Sequence, residues 1–588
     1  MRVIVLMTLL VLTACSSSPK SSSSTQSLLG AEQTNSQLFQ HIAIKLDEGE
    51  YRDAGLQLQL LRERSLSADE QIRWLLLIAD QRLRIGEPDV AKVYLDQLAN
   101  PDITLTTEQD IQLSLLRARW YESNAQFLAA ARERDFLSAL LSGQQQRDNH
   151  EAIWLNLMQI DDVELLRWAE QVPDTQFGRW LLLAAVSKNS RLTLDEHLTH
   201  VEAWQRRYPD HPAAQQLPGS LGTLAEIAAN RPNNITLLLP LSGQLEKTGQ
   251  AIRDGFMAAW YESANKGFSV PDVHFIDSER IDALDDAYQL AQFHGSQWLV
   301  GPFLRPQVQQ LQERQQSLPL PTLALNYGER DTGIERRSPD NLYQFGLAAE
   351  DEAAQIARKA WADGHRRALA LVPQGAWGER IFAAFEQHWL ALGGEISAQR
   401  FYSNRRDYNP DIRAILNIDD STRRYNTIRR LLAESTEFEP RRRADVDWIF
   451  LVALPQQARQ IKPTLAFNFA SDLPVYATSH VYSGIPNSSE DRDLNGIQFC
   501  DLPWLLQDSE LFNNLQQSIA GGQGHYARLY AMGVDTFRLL PRLQQLQAFP
   551  NSQLFASTGT LRLDDDRRIH RETSCTVFRA GRPVRLTP

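Results

Sequence analysis

From residue 31 to about 230, apolar residues recur every three or four positions, the spacing of one buried helix face. Three stretches share a punctuation: 46-LDEGEYRDA-54, 83-LRIGEPDVA-91 and 121-YESNAQFLA-129. Their turn residues Gly49, Gly86 and Asn124 stand 37 and 38 residues apart. A turn between packed helices needs a left-handed backbone, which Gly adopts freely and Asn tolerates. The Ala five residues on lets two helices approach closely. Segments 151–160, 163–172, 179–186 and 194–214 keep the helical period but lose the Gly turn. Trp74, Trp120, Trp154, Trp168 and Trp180 all lie in apolar runs and read as core. Pro and Gly then accumulate over 209–222, which predicts a linker.

Beyond it the period changes. Short apolar runs at 235–241, 272–277, 297–303 and 322–326 predict strands, as do those at 367–372, 396–402, 446–454, 474–479 and 496–501. Amphipathic helices are predicted between them, at 246–263, 282–294, 305–316, 348–364, 378–392, 408–418, 456–468 and 525–547. Residues 558–571 and 574–586 read as a closing hairpin. Alternating strands and helices imply parallel sheets covered on both faces, and two such sets imply two lobes.

The helical half resembles tetratricopeptide repeats, slightly lengthened. The second half opens like a periplasmic small-molecule receptor: a strand ending in Pro-Leu-Ser-Gly, then an amphipathic helix. The expected fold class is therefore multidomain. All-α tetratricopeptide-like repeats over 31–208 and a linker at 209–232 precede a two-lobed α/β domain, periplasmic-binding-protein-like (type 1), over 233–588. Ligands of open α/β sheets bind beyond the carboxyl ends of strands. Those ends carry Ser242 and Gln244, Phe303, Asn326 and Tyr327, Gln374 and Trp377, His480 and Asp501. Two readings stay open there: a cleft that holds a small anion or amino acid, or a cleft whose aromatics pack the lobes together.

The N-terminus changes the picture most. Arg2 is followed by a ten-residue apolar run, Val3 to Leu12, well short of the ~20 residues of a spanning helix. Leu12-Thr13-Ala14-Cys15 then matches a bacterial lipobox. Residues 1–14 are thus expected to be a lipoprotein signal peptide, and Cys15 the lipidated residue. Residues 15–30, rich in Ser, form a flexible tether. Residue 16 is Ser, not Asp, so the default destination is the periplasmic side of the outer membrane. The formal net charge of −12 disfavours nucleic acid as a partner. Cys500 and Cys575 remain. In an oxidising compartment they form one disulfide, or they are two buried thiols in separate strands.

Catalytic signatures are missing. No Gly-x-Ser-x-Gly, His-Glu-x2-His or phosphate-binding loop occurs, so no catalytic residue, metal or cofactor is assigned. The stretch 491-DRDLNGIQFCDL-502 opens like a calcium loop, but its twelfth position is Leu502 where a bidentate Glu belongs. Asp564, Asp565 and Asp566 with Arg567 and Arg568 read as a turn with local charge pairing. The basic stretch 401–443 reads as a solvated face, with an acidic partner as the alternative.

The order of these parts, with 236-TLLLPLSG-243, 249-GQAIRDGF-256, 299-LVGP-302, 322-TLALN-326 and 496-GIQF-499 followed by Asp501 and Pro503, resembles the LpoA family. Its members are lipoprotein activators of class A penicillin-binding proteins. The resemblance implies a non-catalytic protein whose partner is a bifunctional peptidoglycan synthase anchored in the inner membrane. It also implies stimulation of that synthase, chiefly of peptide cross-linking. The rival reading is a lipoprotein solute receptor that takes an amino acid or muropeptide in its cleft.

Overall fold

The structure, a computed structural model, describes residues 34–329, 338–403, 407–432, 437–507, 509–518, 524–549 and 552–586. The expected signal peptide, Cys15 and the tether lie outside these residues. The chain divides into two compact units between Gln146 and Arg147.

The first unit holds three helix pairs: α1 (Asn35–Asp47) with α2 (Tyr51–Arg62), α3 (Ala68–Arg84) with α4 (Pro88–Leu98), and α5 (Thr107–Ser123) with α6 (Phe127–Leu137). The first helix of each pair opens with a capping box: Thr34 with Gln37, Ser67 with Glu70, Thr106 with Gln109. In each, the two side chains satisfy each other's backbone amides, which fixes where the helix begins. Gly49 and Gly86 are left-handed, with φ of 82° and 79°. In the third pair the expectation misses by one residue. The left-handed residue is Ala125, φ 55°, and Asn124 is the cap, its side-chain amide donating to the Trp120 carbonyl at 2.8 Å. The cause is length: α3 and α5 both run 17 residues from their capping boxes. The closely packed alanines are accordingly Ala54, Ala91 and Ala130, each 0 % exposed. Apolar clusters run through the stack, Phe39, Ile42, Leu58 and Ile78 in one, Leu76, Leu95, Leu98 and Leu113 in the next.

The second unit begins with more helices, Asp162–Gln171, Gln176–Lys188 and Leu194–Arg207. They pack on the α/β part. Arg538 donates to the carbonyls of Ser190 and Arg191 at 2.9 and 3.1 Å. Arg231 makes a two-toothed pair with Asp195 and reaches the Ser269 carbonyl. The segment 209–232, expected to be an open linker, instead forms helices Pro212–Gln215 and Leu224–Ala229 with Ala213, Leu221 and Leu224 buried. Its Pro and Gly residues punctuate short turns rather than a connector.

Five parallel strands build each lobe. β1 (Asn234–Leu239), β2 (Asp272–Asp277), β3 (Trp298–Val300), β4 (Thr322–Ala324) and β5 (Leu342–Phe345) make the first. β6 (Arg367–Pro373), β7 (Glu395–Tyr402), β8 (Trp448–Leu451), β9 (Val475–Ala477) and β10 (Ile497–Asp501) make the second. The last strands are β11 (Leu554–Ala556), β12 (Gly559–Leu563), β13 (Arg568–Glu572), β14 (Ser574–Arg579) and β15 (Arg582–Arg585). The sheets run β11-β12-β13-β5-β4-β3-β1-β2 and β15-β14-β10-β9-β8-β6-β7. The expected single closing hairpin is therefore two. β11 to β13 extend the first sheet and β14–β15 the second, with Thr573 between them. Chain crossings before Ala349, after Asp501 and at Thr573 give the two-lobed architecture of type 1 periplasmic binding proteins. Antiparallel pairing sets Cys500 opposite Cys575, and the two form a disulfide. Helices Glu246–Asn265 and Ala527–Leu539 cross backbone to backbone. A Cβ on Gly255 would stand 2.1 Å from the Tyr530 carbonyl oxygen, and one on Gly533 2.1 Å from that of Ile252. The basic stretch 401–443 contains a further helix, Ile418–Leu432, and pairs many of its charges locally, as in Arg413–Asp419 and Arg443–Asp445.

Ala125→Gly relieves a left-handed alanine and is expected to stabilise the chain by about 1 kcal/mol, read as a higher urea midpoint for the first unit. His211 gives a second expectation. It is 1 % exposed, wedged between Trp180 and Trp204 at 5.0 and 5.1 Å, and burial pushes its pKa down to about 4. Between about pH 6.5 and 4 the unfolded chain binds a proton here that the folded chain does not. Stability therefore falls on acidification through that window, by at most about 3 kcal/mol. His211→Gln should flatten the slope of unfolding free energy against pH.

Candidate functional site

A cleft of about 500 Å³ opens between the lobes. Of the residues predicted there, the structure brings together Asn326, Tyr327, Trp377 and His480. Asn326 and Tyr327 follow β4, Trp377 stands in the first turn of helix Ala376–Ala391, and His480 follows β9. Trp377 and His480 meet edge to face, ring centres 5.0 Å apart.

The polar groups of the first lobe are turned to its own backbone. The Asn326 side chain donates to the Phe303 carbonyl at 3.0 Å and accepts the Tyr327 amide at 2.9 Å. The Tyr327 hydroxyl donates to the Ile569 carbonyl at 2.6 Å, and burial pushes its pKa far above the usual phenol value. Behind His480, buried Glu352 accepts the Ser479 amide and hydroxyl at 2.9 and 3.0 Å. Burial raises the pKa of that carboxyl.

Five predicted residues lie elsewhere. The Ser242 hydroxyl donates to Asp277 at 2.7 Å, and Gln244 is exposed in the turn Gly243–Leu245. Phe303 packs on the core of the first lobe. Gln374 is exposed, and its backbone amide donates to the Tyr402 carbonyl. Asp501 is 0 % exposed and takes both arms of Arg528, at 3.1 and 2.6 Å. Strand-end position alone thus misassigns it, because a buried carboxylate needs an internal cation.

Charged residues that the sequence reading missed complete the cleft. Arg380 and Arg305 approach Glu350 at 3.2 and 3.9 Å, from the second and first lobes respectively. Arg568 donates to the Gly328 carbonyl at 2.9 Å, and His570 pairs with Asp564 at 2.7 Å. Arg380 could have been found, since it lies three residues after Trp377 on the same helical face. Arg568 and His570 could not, because their place depends on β13 joining the first sheet. Asp491, in the calcium-like stretch, is held by Arg459 at 2.7 Å.

The family model described as LppC putative lipoprotein matches residues 21–581. The chain belongs to the LppC family. Among relatives, the penicillin-binding protein activator LpoA of Vibrio cholerae is 27 % identical over 96 % of this chain and 95 % of its own length. Its counterpart in Photobacterium profundum is 28 % identical over 91 % and 86 %. A monoclinic crystal form of LpoA from Haemophilus influenzae matches with a TM-score of 0.54 at 25 % identity, covering 94 % of each chain. The LppC likeness therefore spans both units and not the receptor-like part alone.

Asp501→Asn is expected to cost about 3 kcal/mol of folding free energy by leaving the partly buried Arg528 without its paired anion, measured by urea unfolding of the lipid-free chain. A cleft residue would instead change ligand binding at unaltered stability.

Proposed function

We propose that this protein is a non-catalytic activator of a class A penicillin-binding protein, lipidated at Cys15 and held on the periplasmic face of the outer membrane. End-to-end likeness to proteins named penicillin-binding protein activator carries this reading. The lipobox and the Ser at position 16 support the anchor and its destination. The cleft supports a role without chemistry: Asn326 and Tyr327, the groups best placed to meet a ligand in the first lobe, are spent on backbone carbonyls. An activator of this kind needs only to bind the active conformation of its synthase better than the inactive one. Membrane anchorage raises its local concentration beside that target.

The test uses the purified lipid-free chain with purified class A synthases from the same cell. Expected are capture of one synthase in a pull-down and a several-fold rise in its peptide cross-linking rate. Capture without stimulation would leave a binding module, and saturable uptake of an amino acid or wall peptide with no capture would favour the solute receptor.

A further inference from the structure

A second cavity, about 230 Å³, shares no lining residue with the inter-lobe cleft. It lies between the helices of residues 147–229 and the end of the α/β part. Trp154, Leu221, Phe549 and Phe555 give it apolar walls, and Arg542 gives it a charge.

Arg542 is 6 % exposed. Its Nη2 lies 2.7 Å from His197 Nδ1, and no carboxylate among the described residues stands within ion-pair distance of it. The acid that acts on it from further away, Asp195, is already gripped by Arg231 at 2.6 and 2.8 Å. Arg538, one turn earlier on the chain, adds like charge and is itself answered by Glu262 at 3.1 Å. His197 offers no negative charge: it is 4 % exposed, and burial beside two guanidinium groups keeps it neutral. Glu151, also on the wall, accepts the Gly219 amide at 3.0 Å. Three further polar atoms of lining residues are buried without a hydrogen-bond partner, His197 Nε2, Gln545 Oε1 and Ser552 Oγ.

A buried guanidinium without an anion is costly, and a carboxylate answers it with paired, charge-assisted hydrogen bonds. The guanidinium asks for an anionic acceptor within pairing distance, which Glu151, turned to Gly219, does not supply. The apolar walls ask for a hydrocarbon body, which inorganic phosphate lacks. At the ~30 Å³ that a water occupies in the liquid, the space holds roughly eight non-hydrogen atoms. We propose that this cavity binds a small monocarboxylate with an apolar body. Its carboxylate sits on Arg542, and its body lies against Trp154, Phe549 and Phe555.

Calorimetric titration of the full lipid-free chain with hexanoate, benzoate and inorganic phosphate tests this. Expected is saturable one-to-one binding of hexanoate or benzoate, weaker binding of phosphate, and a loss of about tenfold or more in Arg542→Gln. Arg380→Gln, in the inter-lobe cleft, should leave the binding unchanged. Should Arg542→Gln unfold, Arg542→Lys carries the test: it keeps the charge but loses the paired donors, with an expected loss of a few-fold. No binding of either carboxylate at 10 mM (roughly a 3 kcal/mol limit) overturns the proposal. So does binding that survives Arg542→Gln or is undiminished in Arg542→Lys, that is lost in Arg380→Gln, or that phosphate matches.

Discussion

The α/β part hangs on a small set of buried polar contacts where the chain passes between its lobes. Three crossings meet, and each brings backbone groups into a dry interior where an unmet hydrogen bond costs about 1–3 kcal/mol. Gln355, just past the first crossing, grips the third: its side chain donates to the Thr573 carbonyl and accepts that residue's amide and hydroxyl. Arg571, just before the third, returns to the Gly346 carbonyl at the first. The Trp504 amide, on the second, donates to Ser557, whose own amide and that of Thr558 are held by Asp535. Lobe sheets, cleft and disulfide all take their places from this knot.

The same logic explains why the helical half is not uniform. Helices α1 to α6 bury one apolar face against the next pair and make a stack from local contacts. The helices from 147 onward use their faces differently. They meet the α/β part through guanidinium groups, Arg538 on the carbonyls of Ser190 and Arg191 and Arg231 on the carboxylate of Asp195. Such contacts need a partner at a fixed place, and they tie the later helices to the lobes as well as to one another.

Much of this was legible in the sequence, because strand and helix periods are local. The ends of β2 and β7 and the alternation through both lobes follow from hydrophobic spacing alone. What escaped was set by distant partners. β5 is four residues, all buried, with Gln344 among them, so its run is too short and too polar to announce itself. Nothing local separates β13 from β14 and sends them to different sheets. The third repeat turn was misplaced by one residue because Asn tolerates a left-handed backbone better than Ala, and helix length overruled that preference. In the cleft, Trp377 and His480 were readable as strand-end residues. Asp501 occupied the same kind of position and proved internal, since its role was decided by Arg528, 27 residues on.

The threading of β11 to β15 has a consequence for how the molecule is made. β13 enters the first sheet beside β5, and β14 enters the second beside β10. Strands synthesised more than 200 residues apart in the first sheet, Gln344 beside Arg568, and 75 apart in the second, Cys500 beside Cys575, thus become neighbours, and neither lobe has its full complement until residues 554–585 have emerged. A secreted chain of this plan must wait, both halves unfinished, for its own tail.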